Sequence, residues 1–214
     1  MRVDEYCKDL LCRIERVRSS RFDAARRMKL NQSTSIFAVA FCSVYSITLS
    51  ILSLKINVEE NICQYFTMSE YCSFFAIVMD IFVLVISLLS LISGYENQAR
   101  VFHDCALELG ELEREIKMVG TPLIEEDVLK SFTEKYNQIL SKYRHNHSVV
   151  DYLHASLYVG VSEYHKCCLC SEKNTKWIAF RYHFIGMHTF YILCMILPLL
   201  LFLPIIFRLF SGMF

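Results

Sequence analysis

LNQSTSIFAVAFCSVYSITLSILSL (Leu30–Leu54) holds no charged residue, and YCSFFAIVMDIFVLVISLLSLISGY (Tyr71–Tyr95) holds only Asp80. Each run is about 25 residues long, and about 20 apolar residues at 1.5 Å rise cross the hydrocarbon core of a bilayer. Only Lys55 to Glu70 lie between them. The pair reads as a transmembrane helical hairpin with spans at about 31–54 and 71–95, to which the rest of the chain is anchored.

The bulk composition agrees. The 214 residues are 54% hydrophobic, too apolar for an ordinary soluble domain of this size. Lys+Arg and Asp+Glu number 22 each, so composition gives no reason to expect direct nucleic-acid binding. The charges are unevenly placed. Residues 1–30 carry Arg2, Lys8, Arg13, Arg16, Arg18, Arg21, Arg26, Arg27 and Lys29 against fewer acids, whereas the loop 55–70 carries Lys55 against Glu59, Glu60 and Glu70. The positive-inside rule puts the N-terminus in the cytoplasm and the short loop outside. The first apolar run follows a long charged segment, which is not the layout of a signal peptide. Three prolines and six glycines leave little room for strands, so the expected fold is an all-α membrane protein. Most of the ten cysteines fall in membrane runs or on the expected cytoplasmic side, where thiols stay reduced. Cys63 and Cys72 are the pair that an oxidising outer side could bridge.

Residues 1–30 form a basic amphipathic helix. Val3, Cys7, Leu10, Ile14 and Val17 repeat at heptad spacing, and Phe22, Ala25 and Met28 continue a helical face. Two uses of that face are open: lying on anionic headgroups, or packing on the cytoplasmic domain, which suits its first half. The arginines from Arg21 onward anchor the topology in either case.

The spans carry polar stripes. Ser43, Ser46, Ser50 and Ser53 share one face of the first, and Ser73, Asp80, Ser87 and Gly94 recur every seven residues on the second, with Ala76 and Ser90 between. Small and hydroxyl residues allow close helix approach and cross-helix hydrogen bonds, which by itself accounts for the serines. Asp80 is different. A carboxylate near the bilayer centre costs on the order of 3 kcal/mol on insertion scales and often marks an ion path. It is protonated, bonded to Ser46 or Ser50 across the hairpin, or facing water.

Residues 96–183 read as a cytoplasmic helical domain. Phe102, Cys105, Leu109, Leu112, Ile116 and Val119 make one seam, and Leu129, Phe132, Tyr136, Ile139 and Tyr143 a second. Gly120-Thr121-Pro122 ends one helix and starts the next, and Glu125, Glu126 and Asp127 suit a helix N-terminus. The expectation is an antiparallel hairpin with arms of about 24 residues, roughly 35 Å long. Its first arm continues from the second span without a breaker. Ser148 caps a further helix to about Val159. His165, Cys167, Cys168 and Cys170, with His145, His147 and His154 upstream, raise a zinc reading, but the spacing lacks paired C-x2-C ligands. Reduced or lipidated thiols explain the cluster as well, and no cofactor is expected. Residues 184–207 are free of formal charge and read as a third membrane helix, kinked by Pro198 and Pro204. The alternative is a re-entrant segment.

There is no Gly-rich phosphate loop, no G-x-S-x-G and no H-E-x-x-H, so catalysis is not expected. RFDAARRMKL (21–30) leading into SVYSITLSILSL (43–54), then SGYENQARVFHDCALELGELEREI (93–116) and YNQILSKYRHNHSVVDYLHA (136–155), carry a resemblance. Over roughly 15–207 the chain resembles the SLATT family, two-transmembrane effectors associated with SMODS and SLOG domains in bacterial conflict systems, and within it the subgroup with an extra C-terminal apolar segment. The resemblance implies a multi-pass effector of the bacterial inner membrane in antiviral or abortive-infection defence. It would form a homo-oligomer in membrane lipids and open a pore when a soluble sensor or nucleotide-processing partner fires. Two rival readings remain: a membrane-anchored scaffold or sensor that recruits a soluble partner through 96–158, and, last, a membrane enzyme using the His/Cys cluster.

Overall fold

The computed structural model describes residues 3–55, 61–63, 66–120, 125–143, 148–158, 177, 180–182 and 188–211. The elements in order are α1 (Val3–Lys55), a two-stranded antiparallel ribbon of β1 (Asn61–Cys63) and β2 (Phe66–Thr67), α2 (Met68–Ser93), α3 (Tyr95–Val119), α4 (Glu126–Lys142), α5 (Val149–Tyr158) and α6 (His188–Ser211). The protein is all-α apart from that ribbon.

The basic helix and the first span are one element, the 53-residue α1. No glycine or proline occurs between Val3 and Lys55, so nothing in the backbone forces a break. The polar residues at the entry to the span do not break it either. Thr34 Oγ1 donates to Asn31 O at 3.1 Å and Ser35 Oγ to Gln32 O at 2.8 Å, both within the helix.

The expectation that α3 runs on from α2 without a breaker is corrected. Gly94 adopts φ +56 between the two helices, a left-handed conformation that glycine takes without a Cβ penalty. Gly120, at φ +79, ends α3 in the same way. The second arm is also shorter than expected. Helix α4 has 17 residues, with Glu125 at its N-cap and Glu126 and Asp127 in its first turn, where their charges oppose the helix dipole favourably. Thr121 and Pro122 lie outside the described residues.

The chain divides into two compact units. The first comprises Met1–Leu30 and Tyr95–Gly186. Its core joins Cys7, Leu10 and Ile14 of α1 with Cys105, Leu109, Leu112 and Ile116 of α3 and Leu129 and Phe132 of α4. Val17, Tyr136, Ile139 and Tyr143 pack half-buried around it. The apolar face of α1 is thus occupied by protein rather than by lipid headgroups. A second cluster gathers Ala24, Ala25 and Phe102, with Met28 against it. Phe22 and Val119 sit outside both clusters and are exposed. Phe22 instead meets His103 edge-on at 5.6 Å. Polar ties surround the core. Glu113 takes Arg18 at 2.6 Å and Lys117 at 2.5 Å. Glu108 takes Lys142 and, at 2.7 Å, the Tyr143 hydroxyl. The bond from Lys142, helped by that from Tyr143, holds the Glu108 carboxyl below the usual range against the opposing effect of burial.

The second unit comprises Asn31–Gly94 and Met187–Phe214. Asn31, Ser35, Ala38, Cys42, Ser46 and Leu49 of α1 are buried, as are Cys72, Ala76, Met79 and Ile86 of α2. These steps of three and four residues, with one of seven from Met79 to Ile86, make the packed stripe of each helix. Among the residues of helix α6 whose burial is described, Tyr191, Cys194 and Pro198 are buried, and the helix runs unbroken through both prolines. It meets α1 where Cys42 Sγ donates to Cys194 O at 3.6 Å.

The opposite faces are apolar and open. Phe37, Val44, Ile47, Leu91 and Ile92 are 58–80% exposed. Such a surface suits hydrocarbon and not water. Two helices, α1 through Leu54 and the one that begins at Ser69, are long and apolar enough to cross a membrane. Only 28% and 17% of their apolar windows are buried, which separates them from the core helix of a soluble protein. In α6 the described apolar stretch, Thr189–Leu200, is shorter.

Candidate functional site

Ser46 and Asp80 are brought together by the pairing of α1 with α2. Burial of Cys42 and Leu49 on one helix and of Ala76 and Met79 on the other turns Ser46 inward, and its hydroxyl donates to Asp80 Oδ1 at 2.6 Å. Ala76 O lies 3.5 Å from the same hydroxyl. Asp80 itself remains exposed. Among the described residues Ser46 is its hydrogen-bond partner, and no cation pairs with it. One carboxylate oxygen is therefore tied into the hairpin while the rest of the group faces outward, about midway along a membrane-spanning helix.

The other serines divide by role. Ser35 and Ser90 join α1 to α2 through a 2.9 Å hydroxyl pair. Ser69 Oγ donates to Ser53 O at 2.9 Å. Ser43 donates to Val39 O, Ser53 to Ser50 O and Ser87 to Val83 O, each within its own helix. Ser50, Ser73 and Ser87 are exposed. On α2 the row Ser73–Asp80–Ser87 thus lies beside the packed stripe and is exposed, touching α1 through the Asp80–Ser46 bond. Cys72 is a buried free thiol, so the bridge to Cys63 weighed from the sequence is not made.

A second polar constellation sits in the other unit, between α1 and α5. Arg27 grips Asp151 with Nε on Oδ1 and Nη2 on Oδ2, both at 2.8 Å. Asp151 is 0% exposed. The same carboxylate closes a capping box at the start of α5: Oδ2 accepts from Ser148 N at 3.1 Å and from Ser148 Oγ at 2.8 Å, while Asp151 N donates back to Ser148 Oγ at 3.3 Å. One turn earlier on α1, Asp23 Oδ2 lies 2.8 Å from His154 Nδ1. The His154 ring stacks on Tyr182 at 3.8 Å and 11°, and the Tyr182 hydroxyl donates to Asp23 O at 2.8 Å. The Asp151 carboxylate holds the Arg27 guanidinium above its ordinary range. Burial, reinforced by Asp23 and Asp151, pushes the Tyr182 phenol well up. Arg21 and Arg27, read from sequence as topology anchors, are internal: Arg21 is buried with its guanidinium 5.4 Å from the Phe102 ring. Arg26 and Lys29 remain exposed.

This constellation was not legible as a pairing, because 124 residues separate Arg27 from Asp151. Its local half was: Ser148-x-x-Asp151 has capping-box spacing. His145, His147, His165, Cys167, Cys168 and Cys170 lie outside the described residues. His154 lies in the polar constellation, and among the described residues no three metal-type ligands gather.

Comparison with known proteins gives one family. The sequence pattern of the SMODS and SLOG-associating 2TM effector domain family 5 matches residues 3–210. No curated protein and no solved structure matches the chain.

Proposed function

The chain belongs to the SMODS and SLOG-associating 2TM effector domain family, and from that premise we propose that it is an antiphage effector that self-associates in the bacterial inner membrane and opens a pore. The action is mechanical rather than catalytic, and a soluble sensor or nucleotide-processing partner supplies the trigger. One observation carries the reading. Asp80 is an exposed carboxylate on a membrane-spanning helix, half satisfied by Ser46. Left against lipid it costs on the order of 3 kcal/mol. Assembly of several copies around an axis, with the Ser73–Asp80–Ser87 row inward, moves it from hydrocarbon to water. One hairpin cannot enclose an aqueous path, so a pore requires such symmetry.

The topology follows from the same parts. The N-terminal portion of α1 shares one unit with α3, α4 and α5. Crossings by α1 and α2 return the chain to the side it left, and the excess of basic residues before Leu30 supports the cytoplasm as that side. The trigger then acts by changing how the helices of that unit pack.

Membrane potential and entry of an impermeant dye, followed in bacteria expressing the full chain at a level that drives self-association without the trigger, test the proposal. Depolarisation together with cross-linked oligomers is the expected result. Monomers alone under depolarising conditions would refute it. Replacing Ser46, Ser50, Asp80 and Ser87 together by apolar residues separates a pore from a membrane-anchored scaffold: a pore loses conductance, and a scaffold retains its function.

A further inference from the structure

We infer that Asp80 makes the pore cation-selective, with its carboxylates forming a ring whose counterions are mobile monovalent cations. The inference rests on the pore reading and extends it to the permeant species.

The argument is one of charge balance. Across Leu30–Leu54, Tyr71–Tyr95 and residues 184–207 there is no Lys and no Arg, and Asp80 is the one formally charged residue. No fixed cation at membrane depth can neutralise it. Ser46 supplies one hydroxyl to Oδ1 at 2.6 Å, which orients the group without cancelling its charge. The neighbours on the same exposed row, Ser73 and Ser87, are neutral. They stand seven residues to either side, about 10 Å along the axis at 1.5 Å per residue, and Ser87 already donates its proton to Val83 O. A row that offers oxygen lone pairs above, at and below a carboxylate matches the ligand preference of hard cations. Rings of acidic side chains select cations in the same way in other channels. An anion on this path would meet the carboxylates with no basic group to compensate.

The test is the reversal potential of the full-length protein in planar bilayers under a tenfold KCl gradient, which sets a limit of about 59 mV for a monovalent ion. Wild type should reverse close to the potassium limit. Asp80→Asn retains an oxygen for the Ser46 hydroxyl and so preserves the helix contact, and its remaining conductance should reverse near zero. Asp80→Glu should keep the wild-type value. Selectivity should also weaken from 0.1 M to 1 M salt, where the screening length falls from about 10 Å to about 3 Å. Conductance that reverses near zero or toward chloride in wild type would overturn the selectivity and leave the pore standing. An unchanged reversal potential in Asp80→Asn would remove Asp80 from the path. No conductance in any variant at protein levels that give cross-linked oligomers would overturn the pore reading, and this inference with it.

Discussion

Replacing Asp151 by alanine should destabilise the α1–α3–α4–α5 unit by about 3–5 kcal/mol, the usual result of stripping one partner from a buried ion pair. The magnitude follows from what would be left behind. Asp151 is fully buried and accepts two 2.8 Å bonds from Arg27, whose side chain is 16% exposed. Without the carboxylate the guanidinium stays in place with only the long 3.5 Å contact to Ser148 Oγ. The capping box at the start of α5 would be lost as well, at a cost of about 1 kcal/mol. Arg27→Met should cost a similar amount, because the buried carboxylate would then rest on Ser148 alone. The double variant Arg27→Met with Asp151→Leu should recover much of the loss, since a well-packed apolar pair of similar volume is often as stable as the ion pair it replaces. Thermal unfolding of the full chain in detergent is the assay. The single tryptophan, Trp177, stacks beneath Arg181 at 4.6 Å and reports on this unit, with circular dichroism as the second probe. At about 2–4 °C per kcal/mol for a chain of this size, each single variant should melt roughly 6–20 °C below wild type. Shifts of under about 2 °C in both single variants would refute the reasoning, and would mean that the pair is as weak as an exposed one.

Leu109→Ala should cost about 3–5 kcal/mol, because Leu109 is fully buried among Ile14, Cys105 and Leu112 and truncation there leaves a cavity; the same thermal assay reads it. The Tyr182 phenol predicts alkaline sensitivity. Its folded pKa lies above the unfolded value near 10, so its contribution is fully present below about pH 10 and is lost as the pH rises through the folded value. Wild-type stability should fall above pH 10 in a pH series of denaturant unfolding. Tyr182→Phe should flatten that fall while losing about 1 kcal/mol at neutral pH with the bond to Asp23 O.

The units differ in how much of them could be read from the sequence, and the reason is the solvent each one meets. Cys105, Leu109, Leu112 and Ile116 stood out at steps of three and four because water punishes a misplaced apolar side chain, so the buried face and the apolar face coincide. The core at Cys7, Leu10 and Ile14 follows the same logic. In the hairpin that logic fails. Lipid is as apolar as a packed helix, so hydrophobicity marks the span and says nothing about which side of it is packed. The visible pattern on α2 was the polar row Ser73–Asp80–Ser87. The packed stripe is the less conspicuous Cys72, Met79 and Ile86, each one position away, together with Ala76. Only the phase of α1 against α2, which no single helix encodes, decides that Ser46 rather than Ser50 meets Asp80. The same phase leaves the remainder of the carboxylate outside the pair. A helix that needed Asp80 only as glue would bury it in the stripe where Ser35 and Ser90 already bond. Its place on the rim leaves Asp80 tethered by the Ser46 hydroxyl through Oδ1 and exposed on its other side, with no second hydrogen-bond partner among the described residues.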